Sequence, residues 1–195
     1  MKTRNIAVIG ATGSVGGSVL DVCSMFPGTF RVWALAAKRN VDDLLELGKR
    51  FGSDLLVLAD PDPSEGLHRV PGREFSFLVG EEALLAMIED PRCEEVGFAS
   101  SGTGALPALV MAIQKGKRIY LANKEIIVAA GEWIMPLARN RIIPLDSEHN
   151  AIWQCLRGEE PSAVRKILLT ASGGPFLHTP EEELREVTFE MAGRH

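Results

Sequence analysis

Asn5-Ile6-Ala7-Val8-Ile9-Gly10-Ala11-Thr12-Gly13-Ser14-Val15-Gly16 decides how this chain folds. The opening apolar run reads as a buried parallel strand, and the glycines after it are spaced GxxGxxG ahead of a helical pattern. Each glycine has a use: Gly10 permits a tight turn, Gly13 lets the backbone approach a pyrophosphate, and Gly16 lets the helix lie close to the strand. Amide groups at the helix start then face the phosphates, where the helix dipole also favours negative charge. An ordinary glycine-rich turn shares this composition. The succession of strand, glycines and helix is what points to a dinucleotide.

Downstream, the same alternation continues. A second strand, Arg31 to Ala37, ends where an NAD-binding protein would place an acid for the ribose hydroxyls, but the chain gives Lys38-Arg39-Asn40. Cations there match a 2′-phosphate and favour NADP over NAD, although lysine and arginine are also commonplace at a strand end. Next come a helix Val41 to Phe51, a strand Asp54 to Ala59, a polar loop from Asp60, a short strand near Phe75 to Val79 and a helix near Glu82 to Glu89. The strand Glu95 to Ala99 then leads through Ser100-Ser101-Gly102-Thr103-Gly104 into a helix, and the strand Arg118 to Ala122 leads into another that ends near residue 139. Such alternation implies a doubly wound α/β domain, Rossmann-like, with a mostly parallel sheet, right-handed crossovers and helices on both faces. His68 falls in a polar loop and reads as solvated.

Composition narrows the class of partner. With 195 residues, 46% of them apolar and 24% charged, the chain can bury a proper core. A net charge of -5 offers no general attraction to nucleic acid or anionic membranes, so small molecules are the expected partners. Cys23, Cys93 and Cys155 are odd in number and far apart, and are expected to be reduced core thiols rather than a disulfide framework or zinc site. No run approaches the ~18 apolar residues of a membrane span, and Met1-Lys2-Thr3-Arg4 runs directly into a strand, so a cytoplasmic protein is expected.

A second constellation follows the apolar run Arg141-Ile142-Ile143, in Pro144-Leu145-Asp146-Ser147-Glu148-His149-Asn150-Ala151. Asp146 and Glu148, two residues apart where an extended run ends, would point the same way by strand periodicity and suit a hard divalent cation. Ser147 between them could donate to a substrate oxygen. Equally, Asp146 or Ser147 could simply cap the helix beginning near Glu148. Upstream, Asn123-Lys124-Glu125 ends a strand: Lys124 would face the crevice and meet a phosphorylated sugar or polarise a carbonyl, while Asn123 and Glu125 could bracket a nicotinamide. A solvated first helical turn is the alternative there. Beyond, a strand Arg165 to Ala171 is expected to open a second domain, Ser172-Gly173-Gly174-Pro175 could hold phosphate oxygens, and Thr179 is expected to cap an acidic helix start.

Leu121-Ala122-Asn123-Lys124-Glu125, Asp146-Ser147-Glu148-His149-Asn150-Ala151 and Ala171-Ser172-Gly173-Gly174-Pro175-Phe176, in that order, closely resemble the 1-deoxy-D-xylulose 5-phosphate reductoisomerase family. The resemblance runs from about Asn5 to His195, about the first half of that family's usual length. It implies an NADPH-binding domain over 1–145 and the beginning of an α+β catalytic domain over 146–195, which is expected to be incomplete and inactive by itself. The implied reaction is the NADPH- and divalent-metal-dependent isomerisation and reduction of 1-deoxy-D-xylulose 5-phosphate to 2-C-methyl-D-erythritol 4-phosphate, in isoprenoid precursor synthesis, by a homodimer. The implied metal is magnesium, manganese or cobalt, held by Asp146 and Glu148. Lys124, Asp146 and Glu148 would be catalytic, and Lys124, Ser147, Glu148, Ser172 and His195 would hold substrate. Cofactor contacts would come from Gly10, Thr12, Gly13, Ser14, Val15, Lys38, Arg39, Asn40, Asn123 and Glu125. The family usually reads Gly-Lys-Asn where this chain has Lys38-Arg39-Asn40, so Lys38 departs from the pattern. Another NADP-dependent carbonyl reductase, or a non-catalytic cofactor-binding module, are the rival expectations.

Overall fold

The computed structural model describes residues 2–60, 76–138, 140–170 and 174–192. Two compact units emerge from it, Met1–Asp146 and Ser147–His195.

In the first unit, every strand among the described residues is parallel to its neighbours. They are β1 (Arg4–Ile9), β2 (Phe30–Ala37), β3 (Leu55–Leu58), β4 (Ser76–Val79), β5 (Glu95–Phe98), β6 (Arg118–Leu121) and β7 (Ile142–Pro144). The sheet runs β4-β3-β2-β1-β5-β6-β7, so the winding reverses between β1 and β5. That reversal opens a crevice at the carboxyl ends of β1 and β5, the place where open α/β sheets receive ligands. The helices between strands are α1 (Ser14–Met25), α2 (Val41–Phe51), α3 (Glu81–Glu89), α4 (Leu106–Gln114) and α5 (Lys124–Ala138).

Side-chain alternation along the strands builds a core on each face. Val8, Leu35 and Leu56 gather with Leu20 of α1 and Leu44 of α2. Trp33, Val96, Phe98 and Ile119 gather with Met87 of α3, Leu109 of α4 and Ile126 of α5. Full burial of one such aliphatic side chain contributes roughly 1.5–3 kcal/mol, so the sheet is anchored from both sides. Helix α2 shows how local sequence sets the limits: the Asn40 side chain accepts from Asp43 N at its start, and Gly52 ends it in the left-handed region at φ 58°.

At the amino ends of the strands, away from the crevice, the buried Glu95 carboxylate accepts from Arg4 Nη1 at 2.5 Å and from Tyr120 Oη at 2.9 Å. Arg4 and Glu95 begin β1 and β5, so this network closes the bottom of the sheet with charge kept paired.

In the second unit, α6 (Ser147–Leu156) and α7 (Phe189–Ala192) are joined by short 3-10 turns at Pro161–Ala163, Gly174–Phe176 and Glu183–Glu186. The strand expected from Arg165 is absent among the described residues: 165–170 makes no ladder. A strand exists only against a neighbour, and none pairs with this segment, which leaves Ile167, Leu168 and Leu169 at 56%, 73% and 65% exposure. Thr179 caps no helix; the first helical turn after it is the one at Glu183–Glu186, preceded by Glu182. Cys155 is exposed on α6, unlike the buried Cys23 and Cys93, so the expectation of a core thiol fails there.

Candidate functional site

The turn after β1 is held by its neighbours rather than by its own side chains. Gly10 N and Ala11 N both donate to Ala36 O, at 2.9 and 3.0 Å, which ties the turn to β2. Gly10 has φ +83°, and a Cβ there would fall 2.5 Å from Ser100 N. A Cβ on Gly16 would fall 2.2 Å from Gly10 O, so α1 sits directly on the turn. Gly13, the N-cap of α1, supplies no side-chain oxygen, and no acid stands in the first turn. The positive end of the helix is left for an anion.

Around this turn lies a cavity of about 480 Å³. Gly10, Thr12 and Gly13 form one wall, Lys38 and Asp60 stand at the ends of β2 and β3, and Ala99 to Ala105 form the opposite wall. That volume lies within the range of small-molecule and cofactor sites. Among the described residues, Ser100 Oγ in the opposite wall is buried with no hydrogen-bond partner. Buried polar atoms are rarely left so, and a close-approached backbone, an open helix end and an unsatisfied wall together fit a dinucleotide.

The two cations expected to read a 2′-phosphate are already engaged. Arg39 Nη2 and Nε donate to Asp60 Oδ2 at 2.9 and 3.2 Å, and Lys38 Nζ lies 3.9 Å from the same oxygen. Asp60 is held beside them because its amide donates to Lys38 O at 2.9 Å, continuing the β2–β3 ladder. Sequence reasoning left Asp60 in a loop; its place directly after an apolar strand was the available signal. Asn40 serves as the cap of α2, Ser14 and Val15 open α1, and Val15 faces an apolar recess with Val19 and Tyr120.

One strand further along, Asn123 is 2% exposed and fully engaged by protein. Its Nδ2 donates to Ser100 O and Gly102 O, both at 2.7 Å, and its Oδ1 accepts from Ile126 N at 3.0 Å. Glu125 is exposed in the first turn of α5. Lys124 Nζ donates to Asp146 Oδ2 at 3.1 Å; the lysine is 62% exposed and the carboxylate 14%. Asp146 reaches that position because Leu145 N donates to Leu121 O at 2.8 Å, extending the β6–β7 pairing past Pro144.

The alternation argument for Asp146 and Glu148 does not hold. Strand β7 ends at Pro144 and α6 begins at Ser147, so Ser147 and Glu148 belong to a helical turn, where a period of two has no meaning. Their oxygen chemistry still suits magnesium or manganese. Among the described residues no group of three or more His, Cys, Asp or Glu stands together. Ser172 and His195 lie outside the described residues.

Residues 6–131 match the family model described as 1-deoxy-D-xylulose 5-phosphate reductoisomerase, and residues 142–195 match that of its C-terminal domain. A curated 1-deoxy-D-xylulose 5-phosphate reductoisomerase from Chlamydia trachomatis serovar D is 41% identical over 98% of this chain and 52% of its own length. Among solved structures, the reductoisomerase from Zymomonas mobilis in complex with NADPH superposes with TM-score 0.81 at 38% identity, over 99% of this chain and 52% of that one. A DOX-P reductoisomerase in complex with NADPH, fosmidomycin and magnesium gives TM-score 0.77 at 32% identity, over 98% of this chain and 51% of that one. The chain thus spans about half the length of the curated relatives it matches.

Proposed function

The chain belongs to the 1-deoxy-D-xylulose 5-phosphate reductoisomerase family, and on that premise we propose that it serves the NADPH- and divalent-metal-dependent conversion of 1-deoxy-D-xylulose 5-phosphate to 2-C-methyl-D-erythritol 4-phosphate. The observation that carries this reading is the Lys124–Asp146 pair, set at the carboxyl ends of β6 and β7 in the sheet that also carries the glycine-turn cavity. A carbonyl reduction with rearrangement needs a hydride donor, a Lewis acid and a grip on the phosphosugar. NADPH supplies the hydride and magnesium or manganese the polarisation.

Within this reading the chain's own groups divide the work. The glycine turn and the open end of α1 hold the pyrophosphate, with Thr12, Ser14 and Val15 beside it, while Lys38, Arg39 and Asn40 attend the adenosine end. Asp146 and Glu148 offer hard oxygen donors to the metal. Lys124 neutralises negative charge on the substrate, and Ser147, Ser172 and His195 add hydrogen bonds that fix its orientation. Glu125 lies on the nicotinamide side. Residues 1–145 form the cofactor-binding part and 146–195 the beginning of the catalytic part, in a homodimer of the cytoplasm.

The test is to incubate the protein with 1-deoxy-D-xylulose 5-phosphate, NADPH and magnesium or manganese, following NADPH absorbance and identifying the product by mass and NMR. The expected product is 2-C-methyl-D-erythritol 4-phosphate from a protein carrying both the described residues and the remaining length of its relatives. A simple reduced ketose phosphate, formed without metal, would replace this reading with that of an ordinary carbonyl reductase.

A further inference from the structure

Resting on the reading that the cavity takes NADPH, we infer that Asp60 is a specificity-determining residue, which restrains the preference for NADPH over NADH by competing with the 2′-phosphate for Lys38 and Arg39. Dinucleotide sites of this architecture place either an acid near the end of the second strand, for ribose hydroxyls, or a cation there, for a 2′-phosphate. This chain brings both to one corner. The cations follow β2 directly, and the acid arrives from the end of β3, the neighbouring strand. Backbone pairing keeps it there: Ala59 N donates to Ala37 O and Asp60 N to Lys38 O, both at 2.9 Å, so the β2–β3 ladder runs on past Leu58 and sets the carboxylate beside the cations.

Both cations converge on a single oxygen, Asp60 Oδ2. Among the described residues, Lys38 and Asp60 line the cavity and Arg39 does not, so the guanidinium is turned to the carboxylate rather than to the cofactor. A 2′-phosphate that recruits Arg39 must therefore take it from Asp60, and it brings its own negative charge up to a carboxylate that has lost its partner. NADH carries a hydroxyl at that position and needs neither cation. The acid thus lowers affinity for one cofactor and leaves that for the other nearly untouched. With Asp60 46% exposed, water screens the repulsion and keeps the effect moderate.

Two variants of the 195-residue chain test this. Asp60→Asn keeps the size of the side chain and removes its charge, whereas Asp60→Glu keeps the charge. Kd values are measured by calorimetric titration for NADPH and NADH, and for adenosine 2′,5′-bisphosphate and adenosine 5′-monophosphate, a smaller pair that differs only in the 2′-phosphate. Asp60→Asn should bind NADPH and the bisphosphate about three- to tenfold more tightly than wild type, the gain expected from releasing two solvated cations and removing a like charge, with NADH and the monophosphate within about twofold. Asp60→Glu should stay within about twofold of wild type for all four ligands. In a chain already carrying Lys38→Ala and Arg39→Ala, adding Asp60→Asn should gain about twofold or less, because the competition needs the cations. NADPH affinity that is unchanged or weaker in Asp60→Asn would overturn the inference, as would equal tightening of NADPH and NADH or a full gain without the cations. Wild type binding neither cofactor would defeat the functional reading and this inference together, whereas the other three outcomes leave the functional reading standing.

Discussion

Lys124 Nζ and Asp146 Oδ2 lie 3.1 Å apart, so an ammonium ion already occupies one face of the carboxylate assigned to the metal. A cation and its rival share one oxygen. Because the lysine is 62% exposed, the pair is worth only roughly 0.2–1 kcal/mol, and its removal should free the carboxylate modestly. Lys124→Met is expected to tighten Mn²⁺ binding about two- to fivefold, as read by the EPR signal of free Mn²⁺, while Asp146→Asn weakens it. Identical Mn²⁺ affinity in wild type and both variants would remove Asp146 from the metal site.

Cofactor selectivity should be real but limited. Lys38 and Arg39 are the cations proposed to attend a 2′-phosphate, yet Asp60 already draws on both, and the side chains are 77% and 63% exposed. Replacing both cations by alanine should weaken NADPH binding about tenfold, as two solvated charge contacts of up to ~1 kcal/mol each would allow. NADH binding should hardly change. Calorimetric titration of both cofactors decides the matter, and equal losses for the two would show that the cations do not read the phosphate.

Neighbouring glycines of α1 should respond in opposite directions. At Gly16 an added methyl meets Gly10 O at 2.2 Å and Ala11 Cα at 2.9 Å, which are backbone atoms that cannot swing aside. Gly16→Ala is expected to cost about 1–3 kcal/mol in urea unfolding and to weaken NADPH binding. Gly17 has nothing within 4 Å, so Gly17→Ala should gain up to about 1 kcal/mol from helix propensity. If both variants shift the midpoint the same way, the contact of α1 on the turn is misplaced.

Thiol reactivity should follow burial. Burial pushes the Cys23 thiol up to about 11, with the Glu95 charge adding to it, and pushes Cys93 up to about 12 against a counteracting Lys117. At pH 8 about one molecule in a thousand or fewer would carry either thiolate. Cys155 is exposed. Iodoacetamide at pH 8 should therefore modify one cysteine per native chain, located by peptide mass at Cys155. Rapid modification of all three would mean that the first unit opens readily.

Legibility in the sequence followed the range of the interactions. The glycine turn was readable because strand, turn and helix are consecutive, and the parallel sheet because Asn5 to Ala138 alternates at regular intervals. Asp60 was missed because its partners lie 21 and 22 residues earlier and meet it only through the β2–β3 register. The hydrogen bonds of the Asn123 side chain were hidden for a similar reason: the carbonyls that accept from it belong to Ser100 and Gly102, more than twenty residues away. Around Asp146 the residue types were informative and the periodicity misleading, since a helix starts one residue later. Apolar character alone suggested a strand at 165–170, but pairing is a property of two segments and one segment cannot declare it.

That exposed stretch should affect how the chain behaves in a test tube. Ile167, Leu168 and Leu169 present consecutive exposed apolar side chains on backbone that joins no ladder among the described residues, a sequence feature that favours association of identical molecules. Light scattering by the 195-residue chain should accordingly rise with concentration, and Leu168→Lys should suppress it by placing a charge on the sticky edge. Titrations of cofactor or metal are best run dilute, where ligand binding is not masked by one molecule adhering to the next.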